Sequence, residues 1–290
     1  MNPSLSISFG EISRLALKEH PMTTTSRLPT YFISHGGGPW PWMKKEMGDA
    51  YAQLEAALAD MPRQLGRTPA AILMVSAHWE EPAFTVMGSP RPPMIYDYGG
   101  FPAHTYQVHY DAPGSPALAR RVQSLLEAAG LPAALDAERG FDHGMFAPMV
   151  VIWPRADVPV LQLSLKSGLV PAEHLALGRA LAPLRDEDIL IVGSGLSWHN
   201  LRAFGPAAHA PSAAFDAWLG DTLAIADAPA RAAALAAWER APAARLAHPR
   251  EEHLLPLMVA AGAAEGEAAT RVYHERDFFG GVTVSSWRFG

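Results

Sequence analysis

Four histidines stand in short segments marked by glycine, tryptophan or carboxylate. They are His35 in Ser34-His35-Gly36-Gly37-Gly38-Pro39, His78 in Ser76-Ala77-His78-Trp79-Glu80, His199 in Ser197-Trp198-His199-Asn200, and His253 in Glu251-Glu252-His253. Neutral imidazole is the commonest protein ligand for a catalytic metal. One such histidine, taken alone, reads as a surface or hydrogen-bonded core residue; the set points to a mononuclear metal site assembled from distant parts of one fold. His143, in Asp142-His143-Gly144, is a fifth candidate. A buried Asp–His pair holds one tautomer and can act as acid or base, and a hydrogen bond that merely stabilises a loop explains the same dipeptide equally well. The other seven histidines read as solvated or structural, although His104 and His109 fall in a Tyr-rich loop that suits substrate contact.

The segments gain meaning from the elements around them. Residues 30–34, 70–76 and 189–195 are apolar runs of strand length, as expected for strands buried on both faces, and His35, His78 and His199 follow them within a few residues. Strand ends in an open α/β sheet form the crevice where ligands bind. Further strands are expected over 84–87, 158–164 and 281–289. Helices are expected over 49–61, 115–129, 172–184, 213–226, 229–240 and 251–262, the last holding His253 in its first turn. Residues 142–144 read as loop. The alternation predicts one α/β domain over 26–290, with a central mostly parallel or mixed sheet flanked by helices and the metal site at strand ends. Residues 1–25 read as an N-terminal extension, dispensable up to Pro21, with a helix over 11–18 as the alternative.

Composition removes several chemistries. The 290 residues contain no cysteine, which excludes thiolate metal sites, iron–sulfur clusters and a cysteine nucleophile. A net charge of −6 without a basic run argues against nucleic acid as partner. No apolar stretch has membrane-spanning length and no signal-peptide pattern opens the chain, so a cytoplasmic protein without membrane partners is expected. Gly193-Ser194-Gly195 fits neither a dinucleotide fingerprint nor a nucleophile elbow, and H-E-x-x-H is absent.

Six segments in order resemble the DODA-type extradiol ring-cleaving dioxygenases, a group that includes 4,5-DOPA dioxygenases and is similar to the class III extradiol (protocatechuate 4,5-dioxygenase type) superfamily. They are the His35 segment from Ile33 to Pro39, the His78 segment from Val75 to Glu80, Tyr96-Asp97-Tyr98-Gly99-Gly100-Phe101-Pro102, Asp142-His143-Gly144-Met145-Phe146-Ala147-Pro148, the His199 segment from Gly193 to Leu201, and Glu252-His253-Leu254-Leu255-Pro256-Leu257. The resemblance runs from about Pro29 to Phe289 and is more specific for family than for substrate. It implies His35, His78 and His253 as metal ligands. It implies His199 as a further ligand or as the acid/base beside the metal, and His143 as a substrate-side or proton-transfer residue. Two features depart from the pattern. The usual His-Gly-Ser-Pro is replaced by His35-Gly36-Gly37-Gly38-Pro39, and the carboxylate ligand of the protocatechuate branch is replaced by His253, with Glu252 adjacent.

The expected activity is insertion of both atoms of O2 into the ring of a small catechol, DOPA-like or similar, to give a ring-opened semialdehyde. Fe(II) is the expected cofactor for activity, with Zn(II) compatible with so histidine-rich a site. The loop over 92–109 suits an aromatic substrate, with Tyr98 and His104 as candidate contacts; a rigid scaffold loop is the alternative. Two rival functions stay open, a zinc hydrolase using the same histidines and a non-catalytic binding protein on the same fold. A monomer or small homo-oligomer is expected.

Overall fold

The valine-, leucine- and isoleucine-rich runs lie side by side in the middle of one sheet. In the computed structural model, which describes Met1 and residues 27–290, the strands are β1 (Thr30–Ser34), β2 (Ala71–Glu81), β3 (Phe84–Met87), β4 (Ala133–Asp136), β5 (Val160–Lys166), β6 (Ile189–Gly195), β7 (Ala269–Phe278) and β8 (Val282–Phe289). They pair in the order β4-β3-β5-β2-β6-β1-β8-β7. The pairs β5–β2, β2–β6 and β6–β1 are parallel; β3–β5, β1–β8 and β8–β7 are antiparallel. The sheet is therefore mixed, with a parallel centre. The N-terminal extension and the alternative helix over 11–18 lie outside the described residues, Met1 apart.

Helices flank the sheet: α1 (Lys44–Met47), α2 (Ala52–Leu65), α3 (Pro116–Ala128), α4 (His143–Ile152), α5 (Pro171–Leu181), α6 (His209–Leu223), α7 (Ala228–Ala236), α8 (Ala244–Ala247) and α9 (Leu255–Ala263). Among the described residues no helix is long and apolar enough to cross a membrane. Local chemistry sets several boundaries. Ser115 caps α3 by accepting from the Leu118 amide, and Pro116 occupies the first turn, where no amide partner is lost. Leu118, Val122 and Leu126 of α3 are buried against the sheet.

Two expectations need correction, and two strands were not expected. Residues 142–144 are not loop: Asp142 is the N-cap of α4 and His143 its first residue. This helix is apolar and almost wholly buried, so it carries no periodic stripe to announce it. His253 is not in the first turn of a helix; it lies in the turn two residues before α9. Strands β4 and β7 escape the sequence reading because both are edge strands, partly exposed and rich in polar or small residues.

Candidate metal centre and active-site cleft

The parallel centre of the sheet delivers the histidines. Strands β2, β6 and β1 are neighbours and run the same way, so their carboxyl ends open on one crevice. His35 follows β1 directly, and its amide donates to the Gly195 carbonyl at the end of β6 at 3.1 Å. His78 lies within β2 where pairing with β5 slips between Val75 and Glu80. Such a bulge kinks the strand and re-aims its side chains. His199 follows β6, with its amide bonded to the Ala247 carbonyl at 3.0 Å. His253 is brought over the end of β6 by close backbone approach: a Cβ on Gly195 would collide with the His253 carbonyl, and one on Gly193 with the Pro256 carbonyl. Gly193-Ser194-Gly195 is thus strand that admits the entry to α9, not a ligand-binding loop.

Three imidazoles point Nε2 at one another. His78 Nε2 lies 3.3 Å from His35 Nε2 and 3.2 Å from His253 Nε2. The opposite ring nitrogens fix the tautomers. Ser194 spends its hydroxyl proton on the Gly144 carbonyl, so at 3.0 Å it accepts from His35 Nδ1. His78 Nδ1 donates to Asp97 Oδ2 at 3.3 Å and His253 Nδ1 to Glu252 Oε1 at 3.0 Å. Burial raises both carboxyls, but hydrogen bonds and charge from the neighbouring histidines outweigh it and hold Asp97 and Glu252 below the usual range. Both are therefore anionic acceptors. With every Nδ1 protonated, three Nε2 lone pairs face a common point, an arrangement that repels itself and suits a shared cation. A tetrahedral ion with bonds of about 2.1 Å requires N···N edges of about 3.4 Å, close to those found. The donor set therefore fits a metal.

Electrostatics keep the rings neutral, the state a ligand requires. Burial, and then the charges of surrounding imidazoles, push His35 and His253 well below the ordinary histidine range. Burial and His143 push His78 down to about 3, against the opposing pull of Asp97.

The two carboxylates each serve a second histidine. Asp97 Oδ1 accepts from both the Nδ1 and the backbone amide of His143, each at 2.9 Å. Glu252 Oε1 lies 3.3 Å from His199 Nδ1. The His199 ring stacks on His253, centroids 3.3 Å apart at 14°. His143 and His199 thereby stand beside the triangle, and among the described residues neither Nε2 has a hydrogen-bond partner. Of the two readings open for Asp142-His143, neither holds as a contact between those two residues: the carboxylate on His143 is Asp97. Asp142 is instead locked by Ser76 Oγ at 2.7 Å, Gln162 Nε2 at 2.6 Å and Arg139 Nη2 at 2.8 Å. Gly144 is required here, since a Cβ would sit 2.7 Å from Ser76 Oγ and 2.9 Å from His78 Cδ2. Asp97 and Glu252 are the residues that sequence reasoning missed.

The histidines floor a cleft of about 520 Å³ whose walls are mostly aromatic and aliphatic. Tyr98 lines it, with its hydroxyl donating to the Thr105 carbonyl at 2.6 Å. Burial, then the neighbouring Tyr96, push that phenol up to about 12, and with its hydroxyl committed to Thr105, Tyr98 offers the cleft its ring. His104 is not among the lining residues; it is exposed and bonded to the Trp42 carbonyl at 3.1 Å.

Comparison with known proteins points the same way. Residues 22–289 match the family model described as the catalytic LigB subunit of aromatic ring-opening dioxygenase. The chain is 39% identical over 265 residues to a 4,5-DOPA dioxygenase extradiol of Beta vulgaris, covering 90% of this chain and 96% of that one. It is 36% identical to a 4,5-DOPA dioxygenase extradiol of Escherichia coli (strain K12), covering 92% and 96%. The crystal structure of an uncharacterized protein from Escherichia coli K12 superposes with a TM-score of 0.73 at 31% identity, covering 91% of this chain and 100% of the other. With a family match over nearly its whole length, and a mixed sheet that gathers histidines at its strand ends, this chain belongs to the LigB family of aromatic ring-opening dioxygenases.

Proposed function

We propose that the protein is a metal-dependent extradiol dioxygenase that opens the ring of a small catechol, with His35, His78 and His253 as metal ligands. The convergence of three Nε2 atoms, each with its Nδ1 tied to an acceptor, carries this reading. Three protein ligands leave positions for both catechol oxygens and for dioxygen. When bound, Fe(II) supplies the Lewis acidity that lowers the phenol pKa and the redox coupling between the ring and dioxygen.

The remaining steps belong to the protein. His199 donates its Nδ1–H in a hydrogen bond to the Glu252 carboxylate, so its Nε2 lone pair takes a proton from a catechol hydroxyl and later returns it. His143, oriented by Asp97, faces the same space and holds a second proton-transfer position. The apolar walls lower the polarity around the bound ring, which weakens screening of the charge on the ionised catechol. Zn(II) also suits the donor set, so bound zinc in a purified sample does not decide the reaction. The deciding experiment loads the protein anaerobically with Fe(II), adds catechol and admits air. One O2 consumed per catechol, with a yellow ring-opened product, is expected. Ester or amide hydrolysis with Zn(II) and no oxygen uptake with Fe(II) would favour the hydrolase.

A further inference from the structure

The walls of the cleft carry information about substrate that the histidines do not. Beyond the imidazoles, Asp97, Tyr98 and the backbone of Gly36 to Gly38, its surface is apolar, formed chiefly by Met47, Leu196, Leu201, Phe204, Phe278 and Phe279. Among the described residues that line it there is no lysine or arginine, and the sole carboxylate, Asp97, is already engaged by His78 and His143. Two basic residues near residues of the site are paired with carboxylates. Lys44, which shares a separate depression with Met47 and Tyr51, is paired with Glu55 at 2.6 Å, and Arg250 is paired with Glu80.

The apolar surface continues to the mouth. Leu201 is 75% exposed and Phe279 40% exposed, and both line the cleft. Phe279 sits in the β7–β8 hairpin with φ of 49°, a left-handed conformation uncommon for an aromatic residue. It is held there by rings: Phe278 at 4.7 Å, Tyr51 at 5.2 Å and Phe204 at 6.0 Å between centroids. A strained, half-exposed aromatic at the rim of a site has a functional reading. About 520 Å³ also exceeds what a single ring needs, since pockets of about 300–1,000 Å³ hold drug-sized ligands.

From this we infer that the enzyme selects catechols carrying an uncharged, apolar substituent, alkyl or aryl, over catechols carrying an amino-acid or carboxylate side chain. The inference rests on the ring-opening reading above. A carboxylate or ammonium placed along this wall is stripped of water with no counter-charge to meet it, whereas an alkyl or aryl group buries apolar surface against Phe204, Phe278 and Phe279.

The test compares oxygen uptake of the Fe(II)-loaded full chain with 4-ethylcatechol and 3,4-dihydroxybiphenyl against L-DOPA and 3,4-dihydroxyphenylacetate. The first pair is expected to show kcat/KM higher by roughly 10–100-fold. Phe279→Lys should move the ratio of 3,4-dihydroxyphenylacetate to 4-ethylcatechol toward the acid. In parallel, the dissociation constants of 4-ethylphenol and L-tyrosine are measured under nitrogen by protein fluorescence, and 4-ethylphenol is expected to bind more tightly. Equal or better kcat/KM for L-DOPA overturns the inference. If no catechol is opened at all, the ring-opening reading fails, and the phenol binding order still decides whether the cleft prefers an apolar substituent.

Discussion

A carboxylate that accepts from two imidazoles sets both rings at once. Asp97 does this for His78 and His143, and Glu252 for His253 and His199. Asp97→Asn replaces an anionic acceptor by an amide, which can present a donor to one of the rings. It should weaken Fe(II) affinity by roughly 10–100-fold, as expected for a residue that orients a ligand, read by competition with a chelator. Unchanged affinity would make Asp97 a loop anchor only. His199→Gln separates ligand from base: metal content should stay substantial while kcat falls by about 10²–10⁴-fold. Loss of metal in that variant would instead make His199 a ligand. At this scale the histidines were legible because each stands in a marked segment. Asp97 was not, because its partner His143 is 46 residues away and no spacing links them. Glu252 was visible only as the neighbour of His253.

Elements place these residues through close backbone packing. The absence of side chains on Gly193 and Gly195 lets the chain entering α9 lie over the end of β6, and the Leu196 amide then donates to the His253 carbonyl at 3.1 Å. Gly195→Ala should cost roughly 1–3 kcal/mol through overpacking. It should also lower Fe(II) affinity more than a random surface alanine, because the displaced atom belongs to His253. Thermal melts with metal titration check both; a normal melt with normal affinity would show that the turn before α9 absorbs the methyl. Strands β1 and β6 were readable to the residue, since a buried central strand is a continuous apolar run. Helix α4 was not, because burial on all sides erases its period. The bulge that turns His78 inward was also hidden, since register is a property of two strands and not of one segment.

For the molecule as a whole, burying neutral histidines ties stability to pH. Burial lowers His35, His78, His174, His248 and His253 below the unfolded value near 6.5, with His78 and His248 at about 3. Their folded-state pKa lies below the unfolded one, so below about pH 6.5 the unfolded chain binds more protons. Stability is fully present above that pH and is lost as pH falls toward the folded values, at about 1.4 kcal/mol per pH unit for each such histidine. Urea melts of metal-free protein from pH 7.5 to 4.5 should show this decline, and a flat profile would mean that these rings are solvated. The overall α/β class was evident from alternating runs. A mixed sheet was one of the two arrangements expected; which strands run antiparallel was not legible, because β7 and β8 pair at an edge through register that no single segment carries.

The claim on which the rest depends is that three imidazoles, from one strand end, one strand bulge and one helix entry, hold a single metal ion. It is tested most directly by measuring Fe(II) bound per chain after anaerobic loading and desalting, in the wild type and in His35→Ala, His78→Ala and His253→Ala, with circular dichroism verifying the fold. One ion per chain in the wild type and near-complete loss in each variant are expected. Full occupancy in all three folded variants would contradict it.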